Sequence, residues 1–128
     1  MVEQEFSGIE ARSNVYGSEY ADRLRELREA ASEDGYALRE ESDRSFIEFL
    51  CAAPYEVKRA GLALAGGGDV NAIWVSKDRT RRVSIQVFDD GDAEYVVLWP
   101  GSAPEIDRVS PEVFWSEVPS RLRDFLAA

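Results

Sequence analysis

Apolar positions alternate in three runs along the stretch DVNAIWVSKDRTRRVSIQVFDDGDAEYVVLWP, from Asp69 to Pro100. In the first run, Val70 to Ser76, Ala72 and Trp74 point one way and Ile73 and Val75 the other. In the second, Arg82 to Phe88, one face holds Val83, Ile85 and Val87. In the third, Ala93 to Trp99, Ala93, Tyr95, Val97 and Trp99 oppose Val96 and Leu98. Period two with β-branched and aromatic residues predicts strands. The breaks between runs are turn-like: Lys77 to Arg81 is charged, and Asp89-Asp90-Gly91-Asp92 contains an Asp-Gly pair suited to a tight hairpin. An antiparallel meander follows. Ser84, Gln86 and Glu94 mark one face as partly wet, so helices are expected on the other.

The flanks switch to helical spacing. Tyr20, Leu24, Leu27 and Ala31 recur between charged residues, which predicts an amphipathic helix over 18–32 with Ser18 as its N-cap. Residues 1–17 are read as a loosely attached segment, because Gly8 and Gly17 interrupt the apolar Phe6, Ile9 and Val15. A second helix is expected from Ser42 to just before Pro54, burying Phe46, Ile47, Phe49, Leu50 and Ala53. Lys58 to Ala65 reads as a short leading strand with Leu62 and Leu64 inward, and Gly66-Gly67-Gly68 as the turn after it. Ser110-Pro111 opens a C-terminal helix that Pro119 kinks before a last helix near Ala127. The expected fold is a single α+β domain over 1–128. It has an antiparallel sheet of three or four strands packed against N- and C-terminal helices.

Charge narrows the partners. The chain carries 25 acids against 15 bases, a formal net charge of −10, so direct binding to nucleic acid or to an anionic membrane is disfavoured. The acidity is spread along the chain, since residues 1–59 hold 14 acids and 8 bases and the remainder 11 and 7. Such a balance suits a basic protein partner. Cys51 is the one cysteine, which excludes an internal disulfide and fits a reducing compartment. The opening MVEQEFSGIEARS has no apolar signal-peptide core, and no apolar run reaches membrane-spanning length. A cytoplasmic location is the expectation.

A loose resemblance covers over half the chain. Asp34-Gly35-Tyr36-Ala37, the helix through Phe49-Leu50 to Pro54, Trp74, and Asp90-Gly91 followed by Tyr95 stand in that order. This resembles a set of small prokaryotic proteins with a Trp-Asp-Gly-Tyr-x-Ala motif, a helix and a Trp-bearing meander. Glu33 replaces the Trp of that motif, and Ala72-Ile73 replaces an acidic residue before Trp74. The resemblance implies an α+β domain of the kind found among accessory genes of mobile elements or toxin–antitoxin pairs, and it transfers no activity.

The residues offer little catalytic chemistry. There is no histidine, which removes the commonest general base and the histidine-based nucleophile arrangements. Cys51 lies on an apolar helix face and reads as a packed thiol. Asp89, Asp90, Asp92 and Glu94 read as a solvated turn, with a hard-cation site as the rival. Gly66-Gly67-Gly68 lacks the Lys-Ser/Thr of a phosphate loop. Lys77, Arg79, Arg81 and Arg82 form the one basic cluster, a solvated turn or a contact for phosphate or an acidic partner. Two groups stand out as candidates for binding a basic partner. One is acidic: Glu26, Glu29, Glu33, Asp34, Glu40, Glu41 and Asp43. The other is aromatic: Trp74, Tyr95 and Trp99. The expected function is non-enzymatic, with no cofactor and no metal. An acidic protein would neutralise a basic or nucleic-acid-handling partner, as an antitoxin, an immunity protein or a phage-encoded inhibitor does. A carboxylate–metal enzyme centred on Asp89 to Glu94, and a homodimer or larger assembly formed at the meander edge, are the alternatives.

Overall fold

The computed structural model describes residues 2–35, 40–65, 68–117 and 120–128, with the backbone alone at 2–13, 40, 120 and 121. The elements run α1 (Val2–Glu33), α2 (Glu40–Cys51), β1 (Gly61–Leu64), β2 (Val70–Val75), β3 (Arg82–Val87), β4 (Ala93–Leu98), β5 (Glu105–Val109), α3 (Pro111–Glu117) and α4 (Ser120–Leu126). All five strands pair antiparallel in the order β1-β2-β3-β4-β5. The sheet thus has five strands where the sequence predicts three or four. The extra strand, β5, alternates charge with few apolar groups, as a solvent-facing edge can.

The helix-facing side of the sheet follows from the pattern. Val70, Ala72 and Trp74 of β2, Val83, Ile85 and Val87 of β3, and Ala93 and Val97 of β4 are buried. They meet Phe46, Phe49 and Leu50 of α2, Phe114 and Trp115 of α3, and Leu122 and Leu126 of α4 in one core. Aromatic rings join elements edge-on: Tyr20 of α1 meets Phe46 of α2 at 5.0 Å, and Tyr95 of β4 meets Phe114 of α3 at 5.4 Å between centroids. The Trp115 indole donates to the Phe49 carbonyl at 2.7 Å, satisfying its only polar atom. Cys51 packs half-buried against this core.

Polar side chains hold the chain where strands and helices meet. The Ser42 hydroxyl donates to the Val87 carbonyl at 2.7 Å and accepts from the Val70 amide at 2.9 Å, pinning α2 to β2 and β3. The Tyr16 and Tyr20 hydroxyls accept from the amides of Val57 and Ala60 at 3.1 and 2.9 Å. These bonds fix the irregular stretch between α2 and β1 against α1.

Two helical expectations are answered here. The α1 helix runs through Ser18 back to Val2, so Ser18 is not an N-cap. Glycine inside a helix costs about 1 kcal/mol and does not by itself end one. Tyr16, 4% exposed, anchors the turn beside Gly17, while Val15 faces outward. At the other end, the Ser110 hydroxyl accepts from the Val113 amide at 3.3 Å, which is the predicted cap of α3. The kink expected at Pro119 lies outside the described residues.

Candidate functional site

The sheet has a covered face and an open one. Cross-strand register places Ile73, Ser84, Val96 and Ile106 in one row of the open face, and Val75, Arg82 and Leu98 in the next. None of these is buried, and Val75, Leu98 and Ile106 are 49%, 41% and 65% exposed. Asn71, Gln86, Glu94 and Arg108 make a polar row beyond them.

At one border of this sheet, β5 has a strand neighbour on the β4 side only among the described residues. Its first four residues are exposed. Ile106 and Arg108 share the open face with Val96 and Glu94, whereas Glu105 and Asp107 share the helix-covered face with Val97 and Tyr95. Glu117 of α3 joins Glu105 and Asp107 around Tyr95 in a hollow of about 140 Å³. Burial raises the Tyr95 phenol above its ordinary value, and the neighbouring carboxylates of Asp107, Glu105 and Glu117 push it further the same way. This border is acidic, partly apolar and strand-shaped.

The opposite border is basic. β1 pairs with β2 only from Gly61↔Ile73 to Leu64↔Val70, so Trp74 and Val75 have β3 on one side and no strand on the other among the described residues. The Ser76 amide donates to the Arg81 carbonyl, so Ser76 faces β3. Alternation then turns the Val75 peptide groups away from β3. They face a cleft of roughly 940 Å³ lined by Lys58, Arg59, Lys77 and Arg81, with Trp74 and Phe125 as apolar walls. Arg81 lies over the Trp99 and Phe125 rings at 5.1 and 5.8 Å, and Lys58 over Phe125 at 5.9 Å. Asp78, also at the cleft, is held down to about 2. The Ser76 hydroxyl donates to its carboxylate, as do the amide and hydroxyl of Thr80.

The predicted site residues scatter across this frame. Trp74 is 3% exposed and donates from its indole to the Lys58 carbonyl, so it is a core residue rather than an exposed anchor. Tyr95 and Trp99 are half-buried against Phe114 and Phe125. Asp43 is drawn inward by a bidentate ion pair with Arg28, which also donates to the Gly68 carbonyl at 2.8 Å. Glu26 pairs with Arg23 within α1. Glu29, Glu33, Asp34 and Glu41 are exposed, and the side chain of Glu40 lies outside the described residues, as do Tyr36 and Ala37. At the β3–β4 turn, Arg108 pairs with Asp90 and Asp92 at 3.0 and 3.7 Å and covers the Phe88 ring at 3.9 Å. Those carboxylates therefore serve a hairpin brace.

The expected basic cluster is divided. Lys77 and Arg81 enter the cleft, while Arg79 sits at the hairpin tip with a φ of 63° and Arg82 lies on the open face. Sequence reasoning missed Lys58 and Arg59, which complete the basic border, and Glu105, Asp107 and Glu117, which make the acidic one. Among the described residues, no helix is long and apolar enough to cross a membrane. Compared with known proteins, the chain matches no family model, no curated protein and no solved structure.

Proposed function

We propose that this chain is a non-enzymatic binding protein that engages a basic partner along β5 and occludes it. It would act in the manner of an antitoxin, an immunity protein or a phage-encoded inhibitor. One observation carries the reading: β5 is an exposed border strand with Ile106 open on one face and Glu105 and Asp107, joined by Glu117, on the other. A bare strand edge offers peptide N–H and C=O groups to an added strand, and alternate side chains select its sequence. Carboxylates on one side select lysine or arginine, and the exposed isoleucine selects an apolar residue on the other. The overall charge of −10 steers a basic partner toward the molecule.

A six-residue peptide alternating lysine and valine, titrated against the isotope-labelled protein, tests this. Amide shifts concentrated on β5 and α3, weakening with salt and lost in Glu105→Lys/Asp107→Lys, are expected. Absent binding, or equal binding by the double variant, overturns the proposal.

A further inference from the structure

We infer that the cleft beside β2 is a second binding site, which takes an acidic, extended peptide segment as an added strand. It is independent of the proposed β5 surface and lies at the other side of the sheet.

Three observations point to that ligand. First, the local charge opposes that of the chain. A protein with 25 acids and 15 bases places both of its lysines, Lys58 and Lys77, in this cleft together with Arg59 and Arg81. Against these four stand Asp124 and Asp78, the latter attracting Arg81, while Arg59 also pairs with Glu19 at 4.0 Å; the bases still outnumber the acids that line the cleft. Lys58 and Arg81 meet aromatic rings, and neither they nor Lys77 forms an ion pair among the described residues. A cation held by a ring keeps its charge available to an arriving carboxylate.

Second, the cleft contains an unused length of strand. The β1–β2 register ends at Gly61↔Ile73, because the chain before Gly61 is tied elsewhere: the Ala60 amide to the Tyr20 hydroxyl and the Lys58 carbonyl to the Trp74 indole. Continuing that register would set residue 59 against Val75. Instead, the Val75 N–H and C=O look into the cleft.

Third, the walls are apolar as well as basic. Ile73, Trp74, Val75 and Phe125 line the same space. That combination suits alternating acidic and apolar side chains, one set reaching Lys77 and Arg81 and the other the walls. A nucleic acid fits less well, since it has no row of peptide N–H and C=O groups to pair with the Val75 edge.

The probe is an acetylated and amidated peptide alternating glutamate and valine over six residues, followed by tryptophan fluorescence and amide shifts. The expected result is saturable binding with shifts at Trp74 to Ser76. Affinity should fall roughly tenfold or more in Lys77→Glu, a change at an exposed side chain that leaves the fold intact by circular dichroism. The Glu105→Lys/Asp107→Lys variant should bind this probe normally, which separates the site from the β5 surface. The same peptide N-methylated at alternate amides should lose binding, because strand addition needs its N–H donors. Unchanged affinity in Lys77→Glu, undiminished binding of the N-methylated probe, or tighter binding of an oligothymidine or of inorganic phosphate each overturns the inference.

Discussion

The indole of Trp74 donates a 2.7 Å hydrogen bond to the backbone carbonyl of Lys58, joining a core side chain of β2 to the segment that veers away from it. That bond supports the mouth of the basic cleft. Trp74→Phe keeps most of the buried ring and removes the donor, leaving the Lys58 carbonyl without this partner. A loss of about 1–3 kcal/mol is expected in urea unfolding, together with altered amide shifts at Lys58 and Arg59. Trp74→Ala should cost more, about 3–5 kcal/mol, by opening a cavity as well.

Asp43 tests whether acidity on α2 serves recognition or architecture. Its side chain is 23% exposed and its Arg28 partner 11%. Asp43→Asn should destabilise the fold by about 1–3 kcal/mol, because a largely buried guanidinium loses a charged, bidentate partner. The exposed Glu41→Gln should change stability by less than about 0.5 kcal/mol. Parallel thermal melts of the two variants distinguish the roles.

Ser42 makes a comparable claim for α2. It is fully buried and serves two backbone groups, the Val87 carbonyl and the Val70 amide. Ser42→Ala leaves both without this partner, at an expected cost of about 1–3 kcal/mol. Hydrogen exchange should speed up at Val70, the amide that loses its acceptor.

Asp78 gives a pH signature at the β2–β3 hairpin. Its folded value of about 2 lies below the ordinary 3.8, so its contribution to the turn is present above the ordinary value and is lost as pH falls through about 2. Ser76→Ala should move the carboxylate back toward 3.8, since the Ser76 hydroxyl is the largest cause of the depression. A carboxyl-carbon NMR titration reads this directly.

Tyr95 reports on the acidic border. Asp107→Asn should lower the Tyr95 phenol toward its ordinary value without reaching it, because burial is the larger cause and remains. Ring-carbon NMR across the alkaline range checks both the direction and the remainder.

Much of the sheet could be read from its alternation, because β2 and β3 bury one complete face, and β4 all of it but the half-buried Tyr95, which places an apolar or aromatic residue at every second position. β5 escaped because border strands carry charge to resist unwanted pairing, and Glu105-Ile106-Asp107-Arg108-Val109 therefore looks like a loop. The start of α1 escaped for another reason. Gly8 and Gly17 argue locally for interruption, and only the burial of Tyr16 against Val57 outweighs Gly17. The basic border was half visible: Lys77 and Arg81 are close in sequence, but Lys58 and Arg59 join them only because β1 folds back beside β2. Likewise Trp74 could be recognised as a large apolar residue, while its bond to Lys58 depends on where the preceding segment turns.

The two borders of the sheet carry opposite charge, and this gives the molecule a polarity that its net charge conceals. β2 and β5 are separated by three strand spacings, about 14 Å. Ligands seated on both would lie side by side without touching, coupled only through the ladder between them. If both proposed sites bind, the chain would hold two oppositely charged segments in a fixed relative orientation across its strands.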